Sequence, residues 1–306
     1  MARGVLAGLS RCELCGRISS VMKALPDKLE IPRRALGRTG HSATIFGLGG
    51  EGVLRTHGRT AEAVSVIHAA LDSGVNYCDT APAYASSMDY YGAALGERRR
   101  EVFLASKTHD RTRDGSLRLL DDSLRRLRTD RLDLWQLHDL RTVDDLRRIF
   151  AKGGALEALL EAREAGRVRC LGLTGHHDPA ILLEAMRRFD FDTVLVAVNP
   201  ADVHRLPFAS TVVAEASRRG MGVIAMKTTA QGALLGRSGL TIREALGYAW
   251  SLPGVSLAVV GCKTPAEVRE DAEAAREFVP LDAAAMRELE ARTRDRASEY
   301  AYYKRA

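Results

Sequence analysis

The chain has 306 residues, 46% of them hydrophobic and 27% charged, with a formal net charge of +6. This is an ordinary globular composition, and a chain of this length buries a core without disulfide or metal staples. Its basic residues are scattered along helical faces, which argues against a nucleic-acid surface, and no run of eighteen apolar residues suggests a membrane span.

Residues 1–30 read as a separate, poorly ordered N-terminal extension, followed by a single domain over 31–306. Arg3, Arg11 and Arg17 lie there without an apolar h-region, so a secretory signal is not expected. Cys12 and Cys15 form a lone CxxC. A four-ligand metal site needs two more ligands, and no second CxxC follows. The functional alternatives are half of a metal or iron–sulfur site, or a redox pair. The remaining cysteines, Cys78, Cys170 and Cys262, fall in predicted buried strands, where a thiol behaves as a small apolar group. Five cysteines without framework spacing suit a reducing cytoplasm.

Arg33 to Ile45 reads as a short hairpin turning near Arg38-Thr39-Gly40. The chain then settles into a strand–helix rhythm. Phe46-Gly47-Leu48-Gly49-Gly50 is a strand and a glycine loop, and 60–73 has helical spacing. Asn76 to Asp79 is a strand, followed by a loop carrying Tyr84 and a helix from about Asp89 to Leu95. A strand ends at Lys107 and leads to an amphipathic helix near 116–128. The next strand ends at His138. A longer connection, 139–153, precedes a helix near 154–165. The second half repeats the pattern, with strands at Val168–Thr174, Thr193–Val198, Gly222–Met226 and Leu257–Val260. Its helices span 178–188, 209–219, 241–251 and 265–277. Asp178-Pro179 and Thr264-Pro265 open two of them as N-cap and N1.

Eight such units from Phe46 onward, with near-continuous apolar strands, match an α/β fold of the (β/α)₈ TIM-barrel type. An open doubly wound sheet is the structural alternative. Its early GxGxxG, with an acid about twenty residues on, is missing. The glycine loop at Gly49 either allows close backbone approach to a ligand or is simply a tight turn.

In a barrel, C-terminal strand ends share one mouth. Asp79, Lys107 and His138 close three successive strands, and Tyr84 lies just past the first of these, so the four side chains are expected to meet. A carbonyl accepting hydride develops negative charge on oxygen and needs a proton. A phenol with a pKa of about 10 is a poor acid at neutral pH, and a neighbouring ammonium is expected to lower that value. Asp79 would keep Lys107 charged, and His138 could donate to the carbonyl oxygen. Taken singly, these residues also read as a rim tyrosine, a structural ion pair and a hydrogen-bonded histidine.

With these residues in hand, the chain resembles the aldo/keto reductase family, in a bacterial-type branch, over roughly 32–280. Asp79-Thr80-Ala81-Pro82-Ala83-Tyr84 matches the family's Asp-Thr-Ala-x-x-Tyr, and Lys107 and His138 fall where it has its lysine and histidine. The resemblance implies that the 33–45 hairpin closes the barrel bottom. It further implies a nicotinamide cofactor, NADP with NAD possible, hydride transfer to an aldehyde or ketone, and Tyr84 as proton donor. Gly261, Lys263, Thr264, Glu267, Glu270 and Asp271 resemble the segment that binds the adenosine end. Backbone N–H groups at such a helix start can hold phosphate. Lys263 suits a 2′-phosphate, whereas Glu267 would accept ribose hydroxyls.

Thr174 and His176 stand where many members have the Ser-Asn that holds the carboxamide. Asn199 replaces a common glutamine, and Met226 replaces an aromatic residue that stacks on nicotinamide. Lys227 could meet the pyrophosphate. These departures motivate an alternative, a cofactor-binding regulatory or sensor subunit with slow or vestigial chemistry. His109, His176 and His177 read as rim histidines with no accompanying carboxylate, so no metal is expected. The expected partner is a small carbonyl compound.

Overall fold

The computed structural model describes residues 30–304 apart from Ser238. The expected extension, with Cys12 and Cys15, lies outside the described residues except for Glu30. The first described elements are two short strands, β1 (Arg33–Ala35) and β2 (Ser42–Thr44), paired antiparallel around a 3₁₀ turn at Gly37–Thr39. Eight parallel strands follow: β3 (Phe46–Leu48), β4 (Tyr77–Asp79), β5 (Phe103–Thr108), β6 (Leu132–Leu137), β7 (Val168–Gly175), β8 (Thr193–Ala197), β9 (Gly222–Met226) and β10 (Val255–Val260). They close in sequence order, with β10 pairing β3.

Alternation along each strand sets what faces inward. Tyr77, Phe103, Ala105, Leu134, Leu195, Ile224 and Leu257 pack together inside the barrel, whereas Cys78, Leu104, Trp135 and Leu137 belong to the larger core. Because side chains alternate with period two, Asp79 shares the inward face with Tyr77. Lys107 shares it with Ala105, and Gln136 and His138 share it with Leu134. Each fully buried Leu or Phe contributes roughly 1.5–3 kcal/mol, so register errors that flip these faces are strongly disfavoured.

The hairpin closes the N-terminal end of the barrel. Leu36 and Ala43 join the interior cluster. Arg34 Nη1 donates to the carbonyls of Trp250 and Val255, each at 2.8 Å, and Asn76 Oδ1 accepts from Thr44 N at 2.8 Å. Gly37 has a positive φ of 50°, and a Cβ there would collide with the Gly222 backbone at the start of β9. Glycine is therefore required for both reasons.

Local chemistry sets the helix starts. Asp178 accepts from Ala180 N with Pro179 at N1. Thr264 accepts from Glu267 N, with Pro265 at N1. The expected connection at 139–153 contains a helix, Val143–Ile149, opened by a capping box between Thr142 and Asp145. Seven residues with four charges give too short a periodicity to register. The expected helix at 209–219 begins as a π turn over Ala209–Val213 before Ala214–Arg218. Beyond the barrel, Asp282 caps a further helix, Ala283–Thr293. Cys262 lies two residues past β10 rather than within it, although Cys78, Cys170 and Cys262 are all buried and free. Among the described residues no helix is long and apolar enough to cross a membrane.

Candidate active site

The C-terminal ends of the strands open into a cleft of about 1260 Å³, larger than the roughly 300–1,000 Å³ of drug-sized ligand sites. Asp79, Tyr84, Lys107 and His138 line one part of it. The Lys107 ammonium is fully buried and ion-pairs with Asp79 Oδ2; it also donates to the Thr80 carbonyl at 2.9 Å. Lys107 Nζ sits 4.6 Å from the centroid of the Tyr84 ring. The His138 ring meets Tyr84 edge-on, with centroids 5.6 Å apart. The three strand-end side chains and Tyr84 from the loop after β4 are therefore brought together.

Their electrostatics differ from expectation in one respect. Burial pushes the Tyr84 phenol above the ordinary tyrosine value, and the downward pull of Lys107 does not overcome it. Tyr84 is thus held firmly protonated. Burial opposes the Lys107 charge, but Asp79 more than offsets this, so the ammonium is retained above the usual lysine value. His138 is pushed well below its ordinary value by burial and by Lys107, which makes it a neutral imidazole at neutral pH.

β6 also supplies Gln136, whose Nε2 donates to Asp79 Oδ1 at 3.1 Å. Arg111 anchors the turn after β6. It donates to the carbonyls of His138 and Asp139 at 2.9 and 3.0 Å and to Asp145 Oδ1 at 2.8 Å. Asp139 takes a positive φ of 54°, and its N–H donates to Thr174 Oγ1 at 2.8 Å. Of these residues, apart from Asp79 and His138, the sequence points to Thr174 alone. The inward parity of Gln136, two residues before His138, was the available signal.

Asp139 is also the carboxylate missing from the sequence reading of the histidines. His176 Nε2 and His177 Nε2 approach its Oδ1 at 3.2 and 3.5 Å, and three potential ligand atoms lie within 4.8 Å of one another. Arg141 already occupies Oδ2. Burial and Lys227 push the His176 imidazole down to about 3. The imidazole is therefore neutral, while the Arg141 and Lys227 charges nearby work against a cation at this cluster. His109 lines the cleft but is not part of the cluster.

Gly49, Thr174, His176, Met226, Lys227, Gly261, Lys263, Glu267, Glu270 and Asp271 all line the same cleft. Thr264 does not; its hydroxyl is spent capping the helix. Asn199 is fully buried outside the cleft. Its Nδ2 donates to the Lys227 carbonyl at 3.0 Å and to Tyr303 OH at 2.9 Å, and its Oδ1 accepts from Ala201 N. These bonds tie Asn199 to the C-terminal segment. Glu267 Oε2 accepts from Lys263 N at 2.6 Å, so the two residues weighed against each other are bonded together.

Residues 45–244 match the family model described as the aldo/keto reductase family. The chain belongs to the aldo/keto reductase family. Pyridoxal 4-dehydrogenase of Microbacterium luteolum is 29% identical over 210 residues, covering 54% of this chain and 61% of that protein. The 6-dehydroglucose reductase of Novosphingobium aromaticivorans is 34% identical over 140 residues, covering 40% and 44%. The chain spans about half the length of these curated relatives. A solved aldo-keto reductase from Pseudomonas aeruginosa superposes with a TM-score of 0.68 at 27% identity, covering 82% of this chain and 96% of that one. An aldo-keto reductase from Bacillus halodurans, at 22% identity, shares the fold with a TM-score of 0.74. These structural matches agree with the closed eight-stranded barrel described above.

Proposed function

We propose that this protein reduces an aldehyde or ketone to an alcohol with NADPH. The observation that carries the reading is the buried Asp79–Lys107 ion pair set beneath a protonated Tyr84, with a neutral His138 at the same end of the cleft. A bound reduced nicotinamide supplies the hydride.

Tyr84 donates its proton to the carbonyl oxygen as that oxygen gains charge. The phenolate left behind is stabilised by the Lys107 ammonium, and Asp79 maintains that charge in a site with little water to do so. Neutral His138 donates one N–H to the same oxygen and orients it. Solvent then returns a proton to Tyr84.

The cleft fits a dinucleotide in two respects. It extends from Tyr84 to the start of helix Pro265–Arg276. Glycines at 49 and 261 keep its floor low, and a Cβ on Gly261 would press on Glu51 at 2.5 Å. Thr174 and His176 would hold the carboxamide end, with Met226 against the ring. Lys227 would meet the pyrophosphate. Gly261, Lys263, Glu267, Glu270 and Asp271 would hold the adenosine end. The Lys263 charge favours a 2′-phosphate, and the Glu267 carboxylate beside it opposes one.

The test is steady-state turnover of aromatic and aliphatic aldehydes with NADPH and NADH, alongside direct titration of both cofactors. Turnover with NADPH is expected. Tight cofactor binding with no turnover across the panel would replace the enzyme with a cofactor-binding sensor. Much tighter binding of NADH would reverse the cofactor preference.

A further inference from the structure

We infer that Gln136 is a positioning residue for the proton-delivery group, holding Asp79 so that Lys107 stays charged beneath Tyr84. The inference rests on the reductase reading above and adds a fifth residue to it.

Asp79 has two carboxylate oxygens and two side-chain partners. Oδ2 takes the Lys107 ammonium and Oδ1 takes Gln136 Nε2 at 3.1 Å, so the plane of the carboxylate is set from both sides. Gln136 is fully buried, and Asp79 is 3% exposed. A carboxylate is an acceptor only, so the amide must turn its nitrogen towards Asp79. The opposite orientation would place two acceptor oxygens face to face.

Space for this side chain is built into the neighbouring strand. Gly172 of β7 pairs with Gln136, and a Cβ there would lie 3.0 Å from Gln136 Cγ and 2.5 Å from Thr193 Oγ1. The charged and titratable groups around the pair include Lys107 on β5, Tyr77, Cys78 and Tyr84 from β4 and its loop, Tyr91 on the helix Ser87–Ala94, His138 after β6 and Glu51 after β3. On the other side, β7 brings Gly172 against Gln136, and the Thr193 hydroxyl of β8 lies close to Gly172.

Hydrogen bonds to charged groups in such surroundings are worth more than neutral ones. With the amide removed, Oδ1 of Asp79 loses the Gln136 donor and the carboxylate is less favoured as an ion. Lys107 then loses charge support, and the phenolate formed at Tyr84 is less stabilised.

Two variants test this. Gln136→Leu keeps the bulk and removes the donor; kcat for carbonyl reduction is expected to fall about 10- to 100-fold at every pH. Gln136→Glu keeps the shape. While protonated it can donate to Asp79, so its rate should approach wild type at low pH. As pH rises its ionisation adds a second buried negative charge beside Asp79, and the rate should fall at a lower pH than in wild type. Thermal unfolding confirms that each variant is folded.

A second readout does not depend on turnover. The Asp79 carboxyl, followed by carbon NMR and assigned with Asp79→Asn, should titrate at higher pH in Gln136→Leu than in wild type. If wild type reduces no carbonyl, the reductase reading fails while the NMR comparison still decides the role of Gln136. Two outcomes would overturn the inference. One is a folded Gln136→Leu with an unmoved Asp79 titration. The other is a Gln136→Glu variant whose rate tracks that of Gln136→Leu at all pH values, which is what a purely structural residue would give.

Discussion

Tyr84→Phe isolates the proton donor. The substitution removes one oxygen and keeps the ring that lies 4.6 Å from Lys107 Nζ and edge-on to His138. Packing is therefore preserved, and the stability change should stay within about 1 kcal/mol, the net value of one hydrogen bond. Activity is a different matter. A positioned general acid contributes about 10²- to 10⁴-fold, or roughly 2.7–5.4 kcal/mol of barrier at 1.36 kcal/mol per decade. His138 cannot take over as an acid, because burial and Lys107 keep it neutral. The assay is the initial rate of loss of reduced nicotinamide absorbance with a saturating aldehyde, across a pH series. In wild type the rate should hold through about pH 9, because burial keeps the phenol protonated beyond its ordinary value of about 10. It should decline only as Tyr84 ionises. In Tyr84→Phe the residual rate should be low and lack that decline, while cofactor affinity is unchanged. A folded variant whose kcat stays within threefold of wild type, or which keeps the alkaline decline, would refute the assignment of Tyr84.

Two further predictions concern buried charge away from the acid. Lys304 is buried, ion-paired with Asp202, and donates to the carbonyls of Asp202, Arg205 and Leu206 at 3.1, 2.7 and 3.0 Å. Lys304→Met leaves the Asp202 charge uncompensated and should cost about 3–5 kcal/mol in denaturant unfolding; a loss below about 1 kcal/mol would show that the C-terminal tie contributes little. Asp271 is pushed up to about 7 by burial, against the pull of its bond to Cys262. The folded protein therefore keeps a proton that the unfolded chain has released, and stability falls as pH rises from about 4 to about 7. Asp271→Asn should stabilise the cofactor-free protein by about 2–4 kcal/mol at pH 8, with the gain vanishing below about pH 4. Parallel pH–stability curves for variant and wild type would contradict the raised carboxyl.

Strand ends are readable from the sequence one segment at a time. Continuous apolar runs marked the barrel strands. Asp79, Lys107 and His138 mark the points where these runs give way to polar, titratable residues, which is a local property of the chain. Capping at Asp178 and Thr264 was equally local, since each cap bonds an N–H two or three residues away. The short helix Val143–Ile149 escaped because its stabilising face is charged rather than periodic.

What the linear order could not carry were contacts and burial between distant segments. Gln136 reaches Asp79 across 57 positions, and Asn199 reaches Tyr303 across 104. Asp139 joins His176 only because β6 and β7 are neighbours in the closed barrel. The sign of the Tyr84 shift belongs here too. The motif announces a nearby lysine, which lowers a phenol's pKa, but desolvation depends on everything packed around the ring, and only the assembled mouth shows that it wins.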